Sequence, residues 1–163
     1  MRRVWGLLLA ARAMTRAEWR ELAEAQLALI IAQALVWSRP VGRLITPSAP
    51  ASPFVPWGPC EKLAAERLAS ALNRAARYGI LRPQCLVRAL ALTRLLQSRG
   101  IAGSSIRIGV RWDPDAGDGA FAAHAWVVGG EEEAVVGDST SNTAPFSELA
   151  TVHAAGGWRS VPR

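Results

Sequence analysis

At 163 residues the chain has the length of one domain and enough sequence to bury a real core. Half of its residues are hydrophobic and 20% are charged, which excludes a disordered chain. The formal charge is +6 and arginine carries it, because Lys62 is the only lysine. Arginine prefers planar, bidentate partners such as carboxylates. The arginines are scattered, so the charge reads first as a solvated basic surface and second as an attraction for an acidic peptide or protein. No nucleic-acid motif accompanies it, and nucleic acid is not an expected partner. Two cysteines, Cys60 and Cys85, do not make a disulfide framework, and the expected location is cytoplasmic.

The first residues, Met1 to Arg12, mimic a signal peptide. Their apolar stretch is short and is followed by Arg12 and Arg16, so they read as a structural N-terminus. Thr15-Arg16-Ala17-Glu18 is a capping box, flanked by Met14 and Trp19 at the positions of a hydrophobic staple. The pattern predicts a helix from Arg16 to about Trp37. Its second half, Leu27 to Trp37, is apolar on nearly every side but shorter than a bilayer span of ~20 residues. It reads as a buried core helix, with a partner-docking face as the alternative and no membrane role. Six prolines between Ser38 and Pro59 exclude a long helix there. Ile45, Phe54, Val55 and Trp57 make that segment too apolar for a free linker, and it is expected to wrap over the core. A second helix is predicted from Glu61 to Tyr78, with Leu63, Leu68, Leu72, Ala75 and Ala76 on its apolar face and Gly79 at its end.

Pro83-Gln84-Cys85 opens a third predicted helix. Leu86, Ala89, Leu90, Thr93 and Leu96 give its apolar face, Gly100 caps it, and Pro83 suits the first turn. A thiol at a helix N-terminus sits where unpaired N–H groups and the helix dipole favour a thiolate. A buried structural cysteine is the competing reading. After Gly100 the period becomes alternating. Ile106, Ile108, Val110 and Trp112 predict a half-buried strand. Asp113 to Gly119 reads as a polar turn. Asp113 and Asp115 have calcium-loop spacing, but Asp118 stands where that loop needs glycine and His124 where it needs a bidentate acid. Phe121–Val128 and Ala134–Asp138 read as an antiparallel hairpin closed by Gly129 to Glu133. Ser147 to Val152 reads as a short helix.

A three- or five-residue loop centred on Glu131 would put His124 directly across from Asp138, within reach of a hydrogen bond. The other imidazole nitrogen could then take a thiol proton. Cys85, His124 and Asp138 thus form a candidate Cys-His-Asp triad. Taken singly, His124 also reads as a half-buried strand histidine and Asp138 as a strand-end acid. His153 is a weaker rival base. A zinc site from Cys60, Cys85, His124 and His153 lacks a close ligand pair, so no metal and no cofactor are expected.

Cys85-Leu86-Val87-Arg88-Ala89-Leu90, Arg99-Gly100-Ile101, Ile108-Gly109-Val110 and Ala123-His124-Ala125-Trp126-Val127 resemble one family. It is the transglutaminase-like leader peptidase of lasso peptide biosynthesis, the peptidase half of the protein-B maturation enzyme. The resemblance covers about Tyr78 to Asp138 closely and the N-terminus more loosely. It implies an α+β, papain-like core, with N-terminal helices, the nucleophile helix among them, packed on a small antiparallel sheet. By that match Cys85 is the nucleophile, His124 the base and Asp138 the group orienting it, with Gln84 as a side-chain oxyanion candidate. Asn142 is the alternative orienting group. The implied substrate is a precursor peptide whose leader is removed, and the ATP-dependent lasso cyclase is a further partner. Fused relatives carry a winged-helix leader-binding domain ahead of the peptidase. The region before Tyr78 reads instead as helix and proline-rich wrap, which implies a separate leader-binding protein. The expected organisation is one domain, with residues 1–59 as extension and wrap and 60–163 as catalytic core.

Overall fold

The computed structural model describes residues 14–47, 55–112, 121–130, 134–138, 143 and 145–154. Helix α1 spans Arg16–Ser38, α2 Pro59–Tyr78 and α3 Cys85–Ser98. The strands are β1 Ile45–Pro47, β2 Ser104–Trp112, β3 Phe121–Gly129, β4 Ala134–Val136 and β5 Ser147–Ala154. The α+β architecture expected from the sequence is the one observed.

Each helix starts and stops for a local reason. At α1 the Thr15 N–H donates to Glu18 Oε2 at 2.8 Å and the Glu18 N–H donates to Thr15 Oγ1 at 3.3 Å, the reciprocal capping box. Pro59 opens α2 at a position that needs no N–H, and Glu61 accepts from the Gly58 N–H at 2.7 Å. Gly100, at φ +73°, turns the chain out of α3 in the left-handed conformation that glycine adopts without strain.

Helix α3 is the centre of the molecule. It lies between the other two helices and the sheet, touching α1, α2, β2, β3 and β5. Val87, Ala89, Leu90, Ala91, Leu92, Thr93, Leu95 and Leu96 are all buried, which covers every side of the helix. Thr93 is tolerated there because its hydroxyl donates to the Ala89 carbonyl at 3.0 Å. Ala25, Leu29 and Ala32 of α1 and Leu68, Leu72 and Ala75 of α2 close the helical side of this core. Ile106, Ala125, Val127, Val136 and Val152 close it from the sheet.

Among the described residues the sheet has five strands in the order β1-β5-β2-β3-β4, with every neighbouring pair antiparallel. Two of its strands depart from expectation. Ser147 to Val152, read as a helix, belongs to β5, which inserts between β1 and β2. Its Glu, Leu and Ala residues favour helix locally. Tertiary pairing overrides that preference, because Ala150, Val152 and Ala154 pack against the core from alternate positions. Strand β1 lies inside the segment read only as an irregular wrap. Trp57, farther along that wrap, is buried, and its indole N–H donates to the Ala102 carbonyl at 2.6 Å. Phe54 and the turn after Trp112 lie outside the described residues.

Other boundaries shift for simple reasons. Helix α3 begins at Cys85 with Gln84 as its N-cap, so Pro83 precedes the helix and is not in its first turn. The apolar second half of α1 is only partly a core element. Ala28, Leu29 and Ala32 are buried there, but Leu27, Ile30 and Trp37 are exposed. Leu63, expected on the apolar face of α2, is also exposed.

Candidate active site

Cys85 is the first residue of α3 and is half-buried. The first intrahelical bond here runs from the Arg88 N–H to the Gln84 carbonyl at 3.1 Å. The N–H groups of Cys85, Leu86 and Val87 therefore have no helical acceptor. Gln84 supplies no side-chain cap. The helix thus presents unpaired donors beside the sulfur, the arrangement that receives negative charge.

His124 sits on β3 and its Nε2 lies 2.6 Å from Asp138 Oδ2. With Nε2 engaged by the carboxylate, Nδ1 is the nitrogen left to exchange a proton. The imidazole is held by more than this bond. The Trp126 ring stacks at 5.8 Å and an interplanar angle of 20°, and the Phe146 ring lies at 5.2 Å. Room for these rings comes from Gly109, the residue paired with His124 on β2. A Cβ at Gly109 would stand 2.8 Å from Trp126 Cη2 and 2.9 Å from Phe146 Cβ.

Asp138 reaches His124 by a route that differs from simple cross-strand opposition. The observed register pairs Val127 with Val136 and Gly129 with Ala134. Continued along the strand, that register would place Asp138 opposite Ala125, on the face away from His124. The strand ends instead at Val136, and Gly137 turns at φ +78°. That left-handed residue re-aims Asp138 onto the imidazole. The turn is also packed tightly, since a Cβ at Gly137 would lie 3.1 Å from both Ala69 Cβ and Leu92 Cδ2.

Asn73 then ties the turn before Asp138 to α3. Its Nδ2 donates to the Gly137 carbonyl at 2.8 Å, one residue before Asp138. Its Oδ1 accepts from Arg88 Nη2 at 2.5 Å, one helical turn after Cys85. Cys85, His124 and Asp138 line one small cavity of about 30 Å³ together with Asn73, Arg88 and Trp126. The cavity has room for a water molecule and not for a peptide, so a longer substrate must lie across its mouth. Asn73, Gly137 and Phe146 were not found from the sequence. Asn73 is the polar interruption on an otherwise apolar helix face, which was the available signal for it.

The remaining candidates lie elsewhere. Gln84 is exposed and does not line the cavity. Cys60 is exposed at the start of α2 and lines a different recess, with Glu21 and Arg99. His153 is on β5 opposite Thr46 of β1 and does not line the cavity. Asn142 lies outside the described residues. Among the described residues, no cluster of His, Cys, Asp and Glu is arranged to hold a metal ion.

A thiol at a helix N-terminus, an imidazole held by a carboxylate and free N–H donors make a constellation able to carry out acyl transfer through a thioester. The comparison with protein families points to the same class. Residues 27–151 match the transglutaminase-like superfamily, and the chain belongs to it. The match begins within α1 and ends within β5, so it takes in all of β1, α2, α3, β2, β3 and β4. No curated protein and no solved structure matches the chain.

Proposed function

We propose that the protein is a cysteine endopeptidase that removes the leader from a ribosomally made precursor peptide of the lasso type. The single observation that carries the acyl-transfer part is the 2.6 Å contact between His124 Nε2 and Asp138 Oδ2 in the cavity that Cys85 lines. The peptidase and lasso specificity rest on the sequence resemblance around Cys85 and His124.

In this reading the Cys85 sulfur attacks the scissile carbonyl as its proton passes to His124 Nδ1. The oxyanion is received by N–H donors at the start of α3, that of Cys85 first. Collapse of the tetrahedral intermediate breaks the C–N bond, and the imidazolium protonates the leaving amine. Water, deprotonated by His124, then cleaves the thioester and restores the thiol. Asp138 keeps the imidazole in the tautomer that this cycle needs. No cofactor or metal is required. A separate winged-helix protein would bind the leader, and the released core would pass to an ATP-dependent cyclase in the cytoplasm.

The test is incubation with a lasso-type precursor peptide, read by mass spectrometry. Cleavage at a single leader–core junction is expected. Cys85→Ala should abolish it with the fold intact, and Cys60→Ala should keep most of it. Equal loss in both variants would contradict the assignment. Transfer of the acyl group to an added amine in place of water would instead favour a transferase of the same superfamily.

A further inference from the structure

We propose that the recess beside the start of α3 is a subsite for a carboxylate of the peptide substrate; this rests on the peptidase reading above and adds a specificity element to it. The recess has a volume of about 380 Å³ and is lined by Asn73, Ala76, Arg77, Arg82, Pro83 and Arg88. Three guanidiniums line it and, among the described residues, no acidic side chain does. Its size suits an acidic side chain or a chain end.

The charge imbalance separates this recess from others on the surface. One that holds Arg67 and Arg99 also holds Glu21 and Glu61. Another that holds Arg67 and Arg74 also holds Glu18, Glu21 and Glu66. In those places an arginine is neutralised by its own protein. Beside α3 no carboxylate among the described residues shares the recess with Arg77 and Arg82, while Arg88 also lines the adjoining cavity with Asp138.

The three arginines are also held in place. Arg82 Nη1 donates to the Arg77 carbonyl at 3.3 Å, and Arg88 Nη2 donates to Asn73 Oδ1 at 2.5 Å. The Arg77 guanidinium lies over the Tyr78 ring, 5.4 Å from its centroid. A guanidinium has five N–H donors, so these contacts leave donors for a ligand and lower the entropy lost on binding it. Planar donors of this kind match a carboxylate in bidentate fashion.

The recess is contiguous with the active site. Asn73 and Arg88 line both it and the cavity of Cys85. Pro83, on its wall, stands two residues before Cys85. A peptide crossing Cys85 in an extended form would thus carry a residue near the cut into the recess. The carboxylate could belong to an Asp or Glu side chain or to a peptide C-terminus, and the experiment separates the two.

The full-length protein, isotopically labelled, is titrated with three short acetylated peptides and followed by nuclear magnetic resonance. One peptide is amidated and contains a single Glu, the second replaces it with Gln, and the third keeps Gln but has a free C-terminus. At least one carboxylate peptide should bind about tenfold more tightly than the neutral one, shift the side-chain N–H signals of Arg77 and Arg82, and slow iodoacetamide alkylation of Cys85. The better of the two identifies the source. In Arg77→Gln/Arg82→Gln, with thermal unfolding checked, the preference should fall to within about twofold. Equal binding of all three peptides would overturn the proposal. So would a preference that survives the double substitution, or binding that leaves Cys85 unprotected. Binding is read without turnover, so its failure leaves Cys85-dependent cleavage standing, and loss of cleavage leaves the binding result readable.

Discussion

At the scale of single residues, the site depends on Gly137 as much as on the acid it precedes. A continuous β4 would carry Asp138 to the wrong face, and the turn at φ +78° corrects this. Gly137→Ala should cost about 1–2 kcal/mol from the left-handed backbone alone, with more from the contacts at 3.1 Å to Ala69 and Leu92. Asp138→Ala should lower cleavage by about 10³-fold or more, since the imidazole loses the group that fixes its tautomer. Asn73 acts one step farther out. Asn73→Ala should reduce kcat by about tenfold to a hundredfold through misplaced geometry, in addition to any change in KM that follows from releasing Arg88. Asn73→Asp should not restore it, because a carboxylate keeps the acceptor for Arg88 and loses the donor to the Gly137 carbonyl. Steady-state kinetics on the precursor peptide separate these outcomes. An Asn73→Ala effect confined to KM would contradict the positioning role. Cys85, His124 and Asp138 could be chosen from the sequence because their side-chain chemistry and their order on helix and strands restrict the options. Their exact joining could not, since a one-residue register difference and its correction at Gly137 leave no trace in hydrophobic pattern.

At the scale of elements, the contacts that hold the site are long-range. Trp57 reaches across from the wrap to cover the end of β3, where a Cβ at Gly129 would lie 2.1 Å from its ring. Trp57→Ala should destabilise the protein by roughly 3–5 kcal/mol, lowering the midpoint of denaturant unfolding. Gly129→Ala should act in the same direction, because the two groups would occupy one space. A smaller term ties α1 to the end of α3. Glu24 accepts from Arg99 and from Arg20, and the Arg99 hydrogen bond chiefly holds its carboxyl below the usual value. A lowered acid stabilises the fold above its unfolded-state titration range, and that contribution is lost as pH falls through the folded value. Glu24→Gln should therefore cost about 0.5 kcal/mol near neutral pH, and the difference from wild type should vanish in strong acid. Thermal unfolding across pH checks both sign and window. The helices were legible because caps and apolar stripes are local. Strand β5 was not, because its residues favour a helix until β1 and β2 supply the pairing. Strand β1 was hidden among prolines, one of which, Pro47, ends it.

At the scale of the whole molecule, the proposed function raises the question of how a disordered leader would reach the site. Binding such a segment costs ordering entropy. The proposed separate leader-binding protein would raise the effective concentration of the cut beside Cys85. Adding that partner should increase cleavage at low precursor concentration and change the saturated rate little. Full efficiency of the isolated chain at low precursor concentration would contradict this. Helix α1 bears on the same question. It is long and apolar enough to cross a membrane by length and composition, and 22% of its most apolar window is buried. Yet Glu21 and Glu24 on that helix pair with Arg67 of α2 and Arg99 at the end of α3. Those pairs and the burial of Ala25, Leu29 and Ala32 seat α1 against α2 and α3. Leu27 and Trp37 remain exposed on it, as residues available to a partner.

The central claim is that Cys85 is a nucleophile activated by His124, and the two thiols of this chain provide an internal comparison. Cys60 is exposed, whereas Cys85 is half-buried, so access alone favours Cys60. Alkylation with substoichiometric iodoacetamide at neutral pH, followed by peptide mapping, measures both rates in one sample. Cys85 should react about tenfold faster or more, and His124→Ala should remove that advantage. Alkylation of Cys60 first, or a Cys85 rate unaffected by His124→Ala, would contradict the account.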